Sequence, residues 1–349
     1  MAEPVALREV CRARAVGQRV SVIIVSYRRH EEIALCLDDL AAQVGGVSFE
    51  VVLLLQAYPR GVPEMLAERF STAFPLSVFH ADEGLGVHGA RNASLTRSGG
   101  EIVAFLDDDV RVPSDWVETL ASYYAEQSVG GVGGFVQHPG NRRIMTRLLR
   151  PVLGLSAQRY RIDWGGFHAI PWSSHPERDQ VADWLSGCNM SYRRVALEDV
   201  RGFDEGYGGY GYDDVDVGLR IRRAGWRLVS TRRLAVQHYP SEVNRESLPD
   251  LVQAEEARRV RFVRRAIGHR RAWRLRYLAR FGFHLISVTL QGVARGFPSL
   301  PLRAVRGARR GLVLHGAESG ATKTLTPGTA NGQERADDGQ DRNGSPLPG

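Results

Sequence analysis

At 349 residues and 43% hydrophobic, the chain can bury one sizeable α/β core with appendages, which sets aside a small disulfide-stapled scaffold. Three scattered cysteines, Cys11, Cys36 and Cys188, offer no zinc or disulfide spacing and point to a reducing cytosolic setting. The net charge of +7 is local in origin: Arg258 to Arg310 holds fifteen Arg and no Lys, Asp or Glu, so that segment carries +15 and the remainder −8.

Met1 to Arg19 has no apolar h-region and reads as an N-terminal extension, not a signal peptide. Val20 to Tyr27 is a nearly continuous β-branched apolar run, which suits a strand buried on both faces. Glu31 to Gln43 places Ile33, Leu37, Leu40 and Ala41 at helical spacing. Phe49 to Leu55 predicts a second strand, Pro63 opens a short helix, and Leu76 to Phe79 predicts a third strand. A helix over Gly89 to Arg97 stops at Gly99 and Gly100, and Glu101 to Leu106 predicts a fourth strand. Strands alternating with helices imply a mostly parallel sheet.

Further on, a helix near Asp115 to Glu126 precedes a strand at Val132 to Gln137. Pro139 to Asp183 is irregular, and such long segments in compact domains often carry function. Order resumes at Trp184 to Tyr192, a helix runs from about Asp213 to Ala224, and Leu228 to His238 predicts a final strand or two. The main globular unit is therefore 20–245, followed by a basic helical region over 246–315. The Gly- and Pro-rich stretch 316–349 is expected to be disordered.

Three features carry chemistry. Asp107, Asp108 and Asp109 directly follow the fourth strand, at the sheet edge where open α/β folds bind ligands. Crowded carboxylates repel, and hard oxygen donors suit Mg2+ or Mn2+; a solvated acidic turn is the plain alternative. Asp213, Asp214 and Asp216 open a helix, where acids also simply complement the helix dipole. His238 ends an apolar run, a position that is more often structural.

A decoy accompanies them. Gly84, Gly86 and Gly89 match a GxGxxG pattern, which would suit an NAD(P)-dependent oxidoreductase. The motif does not directly follow its strand, however, and a ribose site gives no reason for two acidic clusters.

The order of motifs resembles the family 2 glycosyltransferases, which have the GT-A fold. The resemblance spans Val20 to Tyr239. It is carried by Val22–Tyr27, Gly89-Ala90-Arg91-Asn92, Phe105–Asp109, Ser186-Gly187-Cys188-Asn189-Met190, Gly202-Phe203-Asp204-Glu205 and Asp213–Arg220. The later string and trailing His look most like bacterial galactofuranosyl- and rhamnosyl-type enzymes. The resemblance implies an inverting hexosyltransferase that takes a nucleotide-diphospho-sugar donor and a glycan or lipid-linked acceptor of the cell envelope. It implies a divalent metal (Mn2+ or Mg2+) on Asp107, Asp109 and His238, with Asp214 as general base and Asp213 as the fallback. Ser26, Tyr27, Arg28, Gln56, Arg91, Asp107 and Asp108 would line the donor site, and Trp184, Asp204 and Glu205 the acceptor site. Gln56 stands where the family usually has a base-reading acid, which leaves a GT-A-like binding protein without turnover as the rival. For Arg91 and Trp184, a surface helix Arg and core packing are the plain alternatives.

The basic region lacks any nucleic-acid-binding signature. Phe281 to Ala294 is an uncharged run of fourteen residues between Arg280 and Arg295, too short to span a bilayer but suited to an interfacial helix. Its arginine flanks would meet anionic lipid, placing the protein at the inner face of the plasma membrane. A helical cap with a solvated Arg face is the alternative.

Overall fold

The structure is a computed structural model that describes residues 6–13, 17–138, 160–168, 178–209, 211–240, 247–268 and 272–321. The strands are β1 (Leu7–Cys11), β2 (Val20–Tyr27), β3 (Phe49–Gln56), β4 (Leu76–Ala81), β5 (Ile102–Leu106), β6 (Val110–Arg111), β7 (Val129–Gln137), β8 (Gln180–Ala182), β9 (Asn189–Arg193) and β10 (Arg227–His238). The helices are α1 (His30–Ala41), α2 (Val62–Phe70), α3 (Gly86–Leu95), α4 (Trp116–Tyr123), α5 (Arg194–Asp199), α6 (Asp213–Arg223), α7 (Leu248–Ile267), α8 (Trp273–Arg295) and α9 (Leu300–Ala321).

The ten strands of the described residues share one sheet, ordered β1-β4-β3-β2-β5-β9-β7-β10-β6, with β8 on β10. The block β4-β3-β2-β5 is parallel, as is the pair β7-β10, and antiparallel β9 joins the two. The alternation of β2 and β3 splits the core. Val22, Ile24, Val51 and Leu53 pack with α1, α2 and α4, while Ile23, Val52 and Leu54 pack on the other face. Both faces are covered by helices, which is why these strands read as unbroken apolar runs. The result is a GT-A-like α/β fold with a C-terminal helical region.

Two expectations change at the ends. The extension before Val20 contains β1, an antiparallel edge strand on β4. Its half-polar sequence LREVC gives no alternation to detect. The stretch expected to be disordered from Gly316 begins as the last turn and a half of α9, which runs to Ala321; 322–349 lie outside the described residues, as does most of the Pro139 to Asp183 stretch. The final strand is one element, bent between Thr231 and Val236, where its register against β7 shifts. Gly134 makes the bend possible: a Cβ there would stand 1.6 Å from the Leu234 carbonyl. The Asn189 side-chain amide donates to that carbonyl at 2.7 Å.

The C-terminal helices dock on the α/β unit through arginine. The guanidinium groups of Arg259 and Arg280 both approach the Phe167 ring, at 4.5 and 4.6 Å from its centre. Arg280 also pairs with Asp163 at 2.6 Å, and Arg261 and Arg265 both reach Asp204. Among the described residues, no helix is long and apolar enough to cross a membrane.

Candidate active site

The bend in β10 carries its end across to the residues that follow the acidic triplet. His238 pairs with Val110 in the β6–β10 ladder, and the Tyr239 N–H donates to the Asp109 carbonyl at 2.9 Å. One ligand atom each of Asp107, Asp109 and His238 therefore lies within 4.8 Å of the others. His238 Nε2 stands 2.9 Å from Asp109 Oδ1. Two donors on one octahedral cation, each at ~2.1 Å, stand about 3 Å apart, so this spacing fits a shared ion. Burial raises the Asp107 carboxyl and neighbouring Asp109 raises it further, against the lowering effect of Arg91. Carboxylates held together at such a cost suit a divalent cation.

Asp108 points the other way. It is buried, accepts a short hydrogen bond from Ser26 Oγ, and pairs with Arg29 at 3.0 Å. Burial lifts its carboxyl to about 7, with Arg29 and Ser26 opposing. Asp108 and Ser26, expected at the donor, thus join the triplet to the end of β2 from within. Arg29 also reaches Asp109 at 3.3 Å. Tyr27 and Arg28 remain exposed, with the Tyr27 ring against Gly84 and Arg28 in the left-handed region at φ 59°. Gln56 is buried and its side-chain carbonyl accepts the Leu85 N–H at 2.8 Å, which fixes the turn into α3.

Arg91 links the two acidic clusters. It is buried in α3, forms an ion pair with Asp213, and reaches Asp107 at 3.3 Å and the Gly187 carbonyl at 2.9 Å. It is neither a surface Arg nor an open diphosphate ligand in this conformation. Asp213 is further flanked by His88, whose Nε2 lies 3.7 Å away and whose burial lowers its pKa. Asp214 instead accepts the Gly187 N–H at 3.0 Å. Burial and then the Asp213 charge push the Asp214 carboxyl up to about 7, outweighing Arg91 and two backbone N–H groups. Of the two, Asp213 is bound as a counter-ion, and Asp214 has a pKa matched to moving a proton near neutrality.

Residues 21–201 match the profile described as "Glycosyl transferase family 2", just over half of the chain. The chain belongs to glycosyl transferase family 2. A second profile, the N-terminal domain of galactosyltransferase, matches residues 173–243. The chain is 37% identical over 186 residues to the glycosyltransferase AglE of Haloferax volcanii, covering 53% of this chain and 55% of AglE. It therefore spans about half the length of that relative. It is 35% identical over 89 residues to the N-acetylglucosaminyl-diphospho-decaprenol L-rhamnosyltransferase of Mycobacterium tuberculosis, covering 22% of this chain and 29% of that one. Among solved structures it resembles the mannosyltransferase PcManGT of Pyrobaculum calidifontis, in complex with GDP-Man and Mn2+. The TM-score is 0.55 at 18% identity, over 89% of this chain and 91% of that one.

In this chain, the residues expected at the acceptor are engaged with protein. Trp184 is buried between Tyr160 and His168, both ring centroids 5.0 Å away, which is the core-packing alternative. Asp204 accepts the Gly206 N–H and pairs with Arg261 and Arg265; together these hold its carboxyl below the usual range despite burial. Glu205 accepts from Asn92 at 2.8 Å and so fastens α3. Sequence reading missed Arg29 and His138. The His138 and His238 rings lie edge to face at 4.9 Å. A signal existed: Val-Gln-His occurs at both 136–138 and 236–238, and β7 and β10 pair Val136 with Val236 and Gln137 with Gln237.

Proposed function

We propose that the transferase moves a hexose, with inversion, from a nucleotide-diphospho-sugar to a hydroxyl of a cell-envelope glycan or glycolipid. The observation that carries this reading is the approach of Asp107, Asp109 and His238 to within 4.8 Å, tied by Arg91 to the helix start that bears Asp214. A divalent cation, Mn2+ or Mg2+, on those three residues would neutralise charge on the departing diphosphate. Asp214 takes the proton of the acceptor hydroxyl as its oxygen attacks the anomeric carbon and the bond to the diphosphate breaks. A single displacement inverts that carbon and needs one base. Burial and the negative charge of Asp213 keep the Asp214 pKa high, against the opposing charge of Arg91. Relatives support the substrate classes: the mannosyltransferase of known structure carries GDP-Man and Mn2+, and the mycobacterial relative is an N-acetylglucosaminyl-diphospho-decaprenol L-rhamnosyltransferase.

The test is incubation of the full chain with Mn2+ and a panel of nucleotide sugars. Slow donor hydrolysis that stops with chelator and in Asp109→Ala is the expected result. Chelator-resistant hydrolysis contradicts the metal role, and donor binding with neither hydrolysis nor transfer, across plausible acceptors, would indicate a binding protein.

A further inference from the structure

Among the described arginines of the 258–310 segment, two groups stand out. Arg259 and Arg280 lie against the Phe167 ring, and Arg261 and Arg265 pair with Asp204, so these four are used in docking. Arg274 and Arg295, at the two ends of α8, are exposed. Between them one face of the helix is apolar: Leu275, Leu278, Phe283, Ile286, Leu290 and Val293 are each 49–75% exposed. The opposite face, with Tyr277, Phe281 and Val288, is buried. A helix of 23 residues is about 34 Å long, so the strip is contiguous over the whole element. Scattered exposed apolar residues are ordinary, but a continuous strip of this length marks a surface that is covered in use.

The charges say by what. The helix contains no Asp, Glu or Lys. Packing the strip against a second copy in antiparallel sense would set the Arg274 end of one helix on the Arg295 end of the other. A parallel pairing would set like ends together, so arginines meet without acids either way. An anionic bilayer satisfies both features, with acyl chains for the strip and phosphates for the guanidinium groups. We infer that this face of α8 lies in the interfacial layer of an anionic lipid membrane and holds the transferase against it. The inference goes beyond sugar transfer and does not depend on it.

Flotation of the full chain with vesicles tests it, using phosphatidylcholine with and without phosphatidylglycerol. Flotation with the anionic vesicles, weakened by salt, is expected. Combining Phe283→Asp with Ile286→Asp should lower the bound fraction at least ~10-fold, and Arg274→Gln with Arg295→Gln several-fold, with unchanged circular dichroism. No flotation, equal flotation with both vesicle types, or insensitivity to both double variants overturns the inference. So does a lipid-free dimer, seen by sedimentation equilibrium, that the Phe283/Ile286 variant splits.

Discussion

Asp214 shows how a carboxylate becomes a base that works near neutrality. Its folded pKa of about 7 stands above the ordinary 3.8 because burial and the neighbouring Asp213 disfavour its charge. A raised value means that the stability this group contributes is full below about pH 4 and is lost as pH rises towards 7. Asp214→Asn keeps an oxygen for the Gly187 N–H and removes the charge. The variant should therefore match wild type in melting temperature near pH 4 and exceed it at pH 8, by roughly 1–2 °C per kcal/mol relieved. Its transfer rate should fall about 10²–10⁴-fold. The wild-type rate should rise with pH to a plateau with a midpoint near 7, as the carboxyl ionises. Equal melting at both pH values, or a variant with full activity, contradicts the role of Asp214.

Among the elements, β10 decides whether the site assembles. Its bend is accommodated by Gly134, where a side chain would meet the Leu234 carbonyl at 1.6 Å. Gly134→Ala should cost about 1–3 kcal/mol in denaturant unfolding and weaken metal binding, because the β10 end that bears His238 must shift. An unchanged midpoint and metal affinity would remove this explanation. The run Leu228 to His238 was legible as a strand from its apolar pattern, but not its bend, which depends on a contact across 100 residues of sequence. The same limit explains Arg91. The sequence marks it as one arginine of a helix, and only the fold brings Asp213, 122 positions away, onto its guanidinium. Strands β2, β3 and β5 were readable because both of their faces are buried. By contrast, β8, with three residues, and β1, at an edge, lack a period to detect.

At the scale of the whole molecule, the C-terminal helices are structural partners of the α/β unit as well as an outer surface. The buried cluster that includes Tyr212, Trp184 and Phe203 continues into Val260, Phe262 and Tyr277. A chain ending after Arg245 would expose Phe167 and Tyr212 and leave Asp204 without Arg261 and Arg265. That truncation should aggregate or melt well below the full chain in gel filtration and calorimetry, and a monomeric, fully active fragment would contradict this coupling. Sequence alone separated 246–315 by its charge, yet charge could not tell docking arginines from exposed ones. Asp107 and Asp109, far in sequence from His238, form with it a single cation site that Arg91 links to the base-bearing start of α6. Calorimetric titration of Mn2+ into the full chain tests it most directly. One Mn2+ per chain is predicted, with affinity lost in His238→Ala and in Asp109→Ala but retained in Asp214→Asn; binding that survives loss of both ligands would contradict the account.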